Sequence, residues 1–193
     1  MKKWKEINLV DDQKTLKKLS RYLLVILIAS VIILLVIIGI MQAFYQFSKA
    51  PIPLDIKHIF IELISFVALF MIILLIHEAI HGIFFKLFDP YATVKFGYQT
   101  GMVYTSSPGS RYTRTQFIVI ALMPCLIISL ALIALFPIVV PHSSLFDILT
   151  ATHLSTCIGD FYLINQLLKA PKDVKVEDTE KGIILYFLIV KLS

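Results

Sequence analysis

The sequence predicts an all-α membrane protein: four transmembrane helices, N- and C-termini cytoplasmic, and a small cytoplasmic β-hairpin between helices 2 and 3. Three observations predict it. Hydrophobic residues make up 58% of the 193 and charged residues only 16%, whereas soluble domains run nearer a half apolar and a quarter charged. Four apolar stretches approach the ~20 residues that a helix needs to cross the hydrocarbon of a bilayer. Sixteen of the eighteen Lys and Arg residues fall on one side of four crossings, which the positive-inside rule makes the cytoplasm. Orientation thus accounts for the net charge of +5 without a nucleic-acid partner.

Residues 1–21 form a basic cytoplasmic N-terminus. The first span, 22–47, holds no charge between Arg21 and Lys49 and reads as a retained signal-anchor, since no small-x-small cleavage site follows it. The second, 58–88, is interrupted by Glu62 and by His77, Glu78 and His81. Residues 92–107 are too polar to span. Thr93–Gly97 and Met102–Ser106 bracket a turn-like Tyr98-Gln99-Thr100-Gly101, so a hairpin is expected whose edge can pair with an extended peptide. The third span, 116–140, lies in a charge-free stretch from Arg114 to Asp147, and the fourth, 146–168, contains Asp160. These spans make a four-helix membrane domain over 22–168. Residues 169–193 form a cytoplasmic tail, in which Ile183–Val190 is too short to cross and reads as a strand on the hairpin or an interfacial segment. Cys125 and Cys157 both fall within spans, which argues against a disulfide framework.

An ionisable group inside a membrane helix costs at least ~2.5 kcal/mol on insertion scales and marks function by default. Here three stand together as His77-Glu78-Ala79-Ile80-His81, an H-E-x-x-H pattern. Residues i and i+4 share a helix face, so both imidazoles can bind one Zn²⁺. Glu78 lies one position round, beside the metal and not on it, where it can take a proton from water and return it to a leaving amine.

A catalytic zinc usually has three protein ligands. No Glu occurs between Glu78 and Glu177, which leaves Asp160 as the carboxylate at the right depth. His77 lies about 16 Å along its helix from Phe88, and Asp160 about 13 Å from Lys169. His153 is the rival third ligand. With Cys157 and Asp160 it shares a face by i, i+4, i+7 spacing, and it is read as a group behind the ligands or facing substrate. Cys157 is an alternative soft ligand or a small buried hydrophobe.

HEAIHGIFF at the inner end of a span, the VKFGYQTGMVYTSS hairpin, TRTQFIVIALMP opening the next span and HLSTCIGDFYLINQLL resemble a group of small bacterial membrane proteins, the zincin peptidases, over roughly residues 60–180. More distantly the chain is similar to the site-2 intramembrane metalloproteases. These place HExxH in a membrane helix, follow it with a β-hairpin and take an Asp from a later span as third zinc ligand. The resemblance implies His77 and His81 as ligands, Glu78 as base and Asp160 as third ligand. Site-2 proteases carry that Asp in an Asp-Gly motif, whereas here Gly159 precedes Asp160.

The expected function is a membrane-embedded zinc metallopeptidase with one Zn²⁺ per chain, a multi-pass protein of the bacterial cell membrane. It would hydrolyse peptide bonds near the cytoplasmic face, with membrane lipid and a peptide or membrane-protein substrate as partners. The alternative is a non-catalytic metal-binding membrane protein, transporter-associated or immunity-like. A di-iron oxygenase needs more His ligands than the five present.

Overall fold

The computed structural model describes residues 2–9, 12–22, six further positions up to 36, 56–99, 102–139 and 144–187. In chain order the elements are β1 (Lys2–Asn8), α1 (13–22, with helical positions up to 36), α2 (Ile56–Phe88), β2 (Lys95–Gln99), β3 (Met102–Ser106), β4 (Arg111–Thr113), α3 (Arg114–Val139), α4 (Ser144–Thr156), α5 (Ile158–Leu168), β5 (Val174–Thr179) and β6 (Gly182–Phe187).

The all-α, four-span expectation is corrected on three counts. First, two antiparallel sheets are present: a four-stranded one in the order β1-β6-β5-β4 and the two-stranded β2-β3. Residues 2–8, read from sequence as part of a basic N-terminus, and 174–179 and 182–187, read as part of a tail with Ile183–Val190 a strand on the hairpin or an interfacial segment, supply three of the four strands of the larger sheet. Their alternation was hidden by composition, because Lys175 and Glu177 lie between the buried Val174, Val176 and Asp178. Second, residues 146–168 are not one span but the two short helices α4 and α5, meeting at Cys157. The hydroxyls of Thr152 and Ser155 donate to the carbonyls of Ile148 and Ala151, and that of Thr156 to His153 O. Such back-bonding competes with the helix ladder and bends it. Third, only two helices among the described residues are long and apolar enough to cross a membrane, over Phe60–Phe88 and Arg114–Leu132. The expected first span, 22–47, lies largely outside the described residues, and an orientation counted over four crossings loses its basis.

The sheet forms one end of the molecule. Its buried face (Ile7, Val174, Val176, Ile183, Leu185) packs on Tyr112, Phe85 of α2, Phe117 and Ile120 of α3, and Leu163 and Leu167 of α5. A second cluster joins α2, α3 and α4 through Ile73, Ile80, Ile128, Leu132 and Leu149. β4 runs directly into α3, whose start carries a reciprocal cap. Gln116 N donates to Thr113 Oγ1 at 3.2 Å, and Thr113 N donates to Gln116 Oε1 at 2.8 Å. This capping box explains the T-R-T-Q of the sequence.

The hairpin is fastened to both neighbours. Ser107 N, just beyond β3, donates to Asp178 Oδ2 of β5 at 2.9 Å, and Thr105 Oγ1 donates to the Glu78 carbonyl of α2, also at 2.9 Å. Gly82 permits the approach to α2, since a Cβ there would meet Phe96 at 3.1 Å and Val94 at 3.3 Å.

Burial pushes the Asp178 carboxyl up to about 7, against the downward pull of the Ser107 N–H and His81. In the unfolded chain the group titrates near 3.8. As pH rises from about 4 through about 7, the unfolded chain releases a proton that the folded one keeps, so stability falls across that window. Asp178→Asn should remove this contribution. In melting curves the variant should gain on wild type as pH goes from 4 to 7; a pH-independent difference would contradict the assignment.

Candidate metal centre

Most of α2 is exposed and apolar. Apart from Gly82, which faces the hairpin, its buried positions among the described residues, Ile73, His77, Ile80, His81 and Phe85, form one stripe at helical spacing facing α3, α4 and α5. Two residues of this stripe are histidines, and they lie one turn apart.

Asp160 comes from the first turn of α5. The break at Cys157 sets it against both rings: its Oδ2 is 3.1 Å from His77 Nε2 and its Oδ1 is 3.3 Å from His81 Nε2, while the two Nε2 atoms are 3.2 Å apart. Burial alone would raise the Asp160 carboxyl. The charge of His81 and hydrogen bonds from both imidazoles override that and hold it well below the usual carboxylate range.

The opposite ring nitrogens decide which atoms are free to bind an ion. His81 Nδ1 is 3.0 Å from the Ile120 carbonyl, which can only accept, so Nδ1 keeps its proton and Nε2, which donates to Asp160 without a metal, is the nitrogen that would give up its proton and offer a lone pair to an ion. His77 Nδ1 faces His153 Nε2 at 3.4 Å, leaving His77 Nε2 for the cluster. The residues therefore fit a metal on the chemistry of the donor set: two imidazole nitrogens and a carboxylate converge in a buried pocket. They fit on spacing as well. A tetrahedral zinc with bonds of about 2.0–2.1 Å sets its ligand atoms about 3.3 Å apart; here the two Nε2 atoms are 3.2 Å apart, and the carboxylate meets them with different oxygens, Oδ2 at 3.1 Å from His77 and Oδ1 at 3.3 Å from His81.

A second group of donors shares His77, with His153 and Cys157, all buried. Cys157 Sγ lies 3.8 Å from His153 Nε2, yet it also donates to the His153 carbonyl at 3.3 Å, which suits a thiol more than a thiolate ligand. Burial, with His77 adding to it, holds the His153 imidazole down at about 4, hence neutral at physiological pH. His153 is fully buried, and its Nδ1 has no partner among the described residues.

Glu78 is half-buried beside the cluster, close enough to feel the charges of His81, His77 and Asp160. The structure thus gathers every residue singled out from sequence: His77, His81 and Asp160 around one point, Glu78 at its rim, and His153 and Cys157 behind His77. Sequence reasoning missed Thr105 and the Ile120 carbonyl. Thr105 left no signal, because its contact is set by how the hairpin folds back on α2.

The family model described as "Putative zincin peptidase" matches residues 69–175, rather more than half of the chain. The match takes in the HExxH stretch, the hairpin, α3 and Asp160. No curated protein and no solved structure matches the chain. The likeness to site-2 intramembrane metalloproteases has no support in these comparisons.

Proposed function

The chain belongs to the "Putative zincin peptidase" family, and from that premise we propose that it is a membrane-embedded zinc metallopeptidase, with His77, His81 and Asp160 as ligands of one zinc and Glu78 as general base. The observation that carries the reading is the convergence of two imidazole Nε2 atoms, 3.2 Å apart, on the Asp160 carboxylate, whose oxygens lie 3.1 and 3.3 Å from them, beside the half-buried Glu78.

Zinc held there supplies Lewis acidity, polarising a carbonyl and acidifying water. The remaining chemistry belongs to the chain. Glu78 takes the proton from the attacking water and delivers it to the leaving amine. Asp160 and the two imidazoles hold the ion without moving protons. The β2–β3 hairpin, tied to the Glu78 carbonyl through Thr105, offers a strand edge on which an extended peptide can pair.

Membrane placement rests on α2 and α3. Phe60, Ile61, Leu63, Ile64 and Val67 of α2 are each more than half exposed, and so is Leu130 of α3. A continuous apolar face of this extent is at home in lipid. Both helices would cross the bilayer, with the sheet against one of its surfaces and the metal ligands about two to three turns from that end of α2.

The alternative, a metal-binding membrane protein without catalysis, draws on the softer His77–His153–Cys157 group. Metal removal separates the two. Purified protein in detergent should cleave a lipid-anchored peptide library, lose that activity to a zinc chelator, and regain it on adding one equivalent of zinc. Zinc retention with no cleavage of any library member would favour the alternative.

A further inference from the structure

α3 runs unbroken from Arg114 to Val139 with Pro124 in its interior. In an α-helix the N–H of residue 124 would bond the carbonyl of residue 120. Proline has no N–H, and its ring crowds the carbonyl four residues back. The Ile120 carbonyl therefore loses its helical partner. It does so in a dry place, because Ile120 and Pro124 are both fully buried, and a buried carbonyl without a donor is costly. The donor it meets is His81 Nδ1, at 3.0 Å.

We propose that Pro124 is a positioning residue for the metal centre: it withholds the N–H that would occupy the Ile120 carbonyl and so reserves that carbonyl for His81. Two deficits then satisfy each other. The helix has an acceptor without a donor, and the imidazole has a second nitrogen that needs an acceptor. Their bond fixes the tautomer that carries the proton on Nδ1, and it holds the ring with Nε2 turned to His77 and Asp160. Partners of this kind orient metal-binding imidazoles and raise their basicity. His77 is treated differently, since its other nitrogen faces the side chain of His153. The A-L-M-P of the sequence thereby acquires a role at a site one helix away.

The inference rests on the reading that His81 binds zinc, and its test separates the two. Pro124→Ala and Pro124→Val each restore the N–H, which competes for the Ile120 carbonyl. Zinc affinity would be measured by competition with a chromophoric chelator, alongside melting of the metal-free protein. Both variants should bind zinc about 10–100-fold more weakly, while their metal-free melting temperatures hold or rise, because the helix gains a bond. Pro137→Ala, in the same helix, should leave zinc affinity unchanged. A purely structural proline would show the reverse, lower stability with unaltered affinity. Folded Pro124 variants that bind zinc like wild type would overturn the inference alone. Failure of both to fold would overturn it too, since it holds the proline dispensable for the helix. A wild type that binds no zinc would overturn the metallopeptidase reading beneath it.

Discussion

Glu78→Gln is expected to keep one zinc per chain and to lose peptide hydrolysis by ~10²–10⁴-fold, the usual contribution of general acid–base assistance. The carboxylate lies beside the ligand cluster, and holding the ion does not require it. The amide is nearly isosteric but cannot take a proton from water. The Thr105 hydroxyl bonds the backbone carbonyl of residue 78, so hairpin attachment should survive the substitution. Peptide binding would then persist without turnover, and substrate could be recovered from membranes on the variant. A Glu78→Gln protein that fully restores a phenotype lost in His77→Ala would mean that the metal matters and the base does not.

The ligand substitutions should have effects at least as large. His77→Ala and His81→Ala should each abolish stoichiometric zinc, because two remaining ligands hold it poorly, and hydrolysis should vanish with the metal. Asp160→Ala should do nearly the same. His153→Ala should retain stoichiometric zinc at reduced affinity, since it removes only the partner of His77 Nδ1, 3.4 Å away. If His153→Ala empties the site while Asp160→Ala leaves it full, the third ligand has been misassigned.

Much of the site was legible because its information is local. An i, i+4 pair of histidines on a long apolar helix declares its own geometry, and the lack of an intervening Glu, with depth along the span, pointed to Asp160. The route by which Asp160 arrives was not legible. It depends on the interruption at Cys157 between α4 and α5, where Thr152, Ser155 and Thr156 bond back onto α4 and weaken its ladder, although composition suggested one continuous span. The four-stranded sheet was less legible still. β1 pairs with β6, joining Lys2 to Phe187 across nearly the whole chain, and no local pattern announces so distant a partner. In β5 the alternation is real but short, and charges on the outer face made it read as a tail. Hydropathy found α2 and α3 because both are long and apolar enough to outweigh the few ionisable groups in α2; it also merged α4 and α5, because it cannot see the one non-helical residue between them.

X-ray absorption at the zinc edge of the purified, zinc-loaded protein tests the central claim most directly. The account predicts a first shell of nitrogen and oxygen only, with two imidazoles at about 2.0–2.1 Å and a carboxylate oxygen at about 2.0–2.2 Å. The spectrum should be unchanged in a Cys157→Ser variant. A sulfur scatterer at about 2.3 Å, lost in that variant, would place the ion among His77, His153 and Cys157 and contradict the assignment of Asp160.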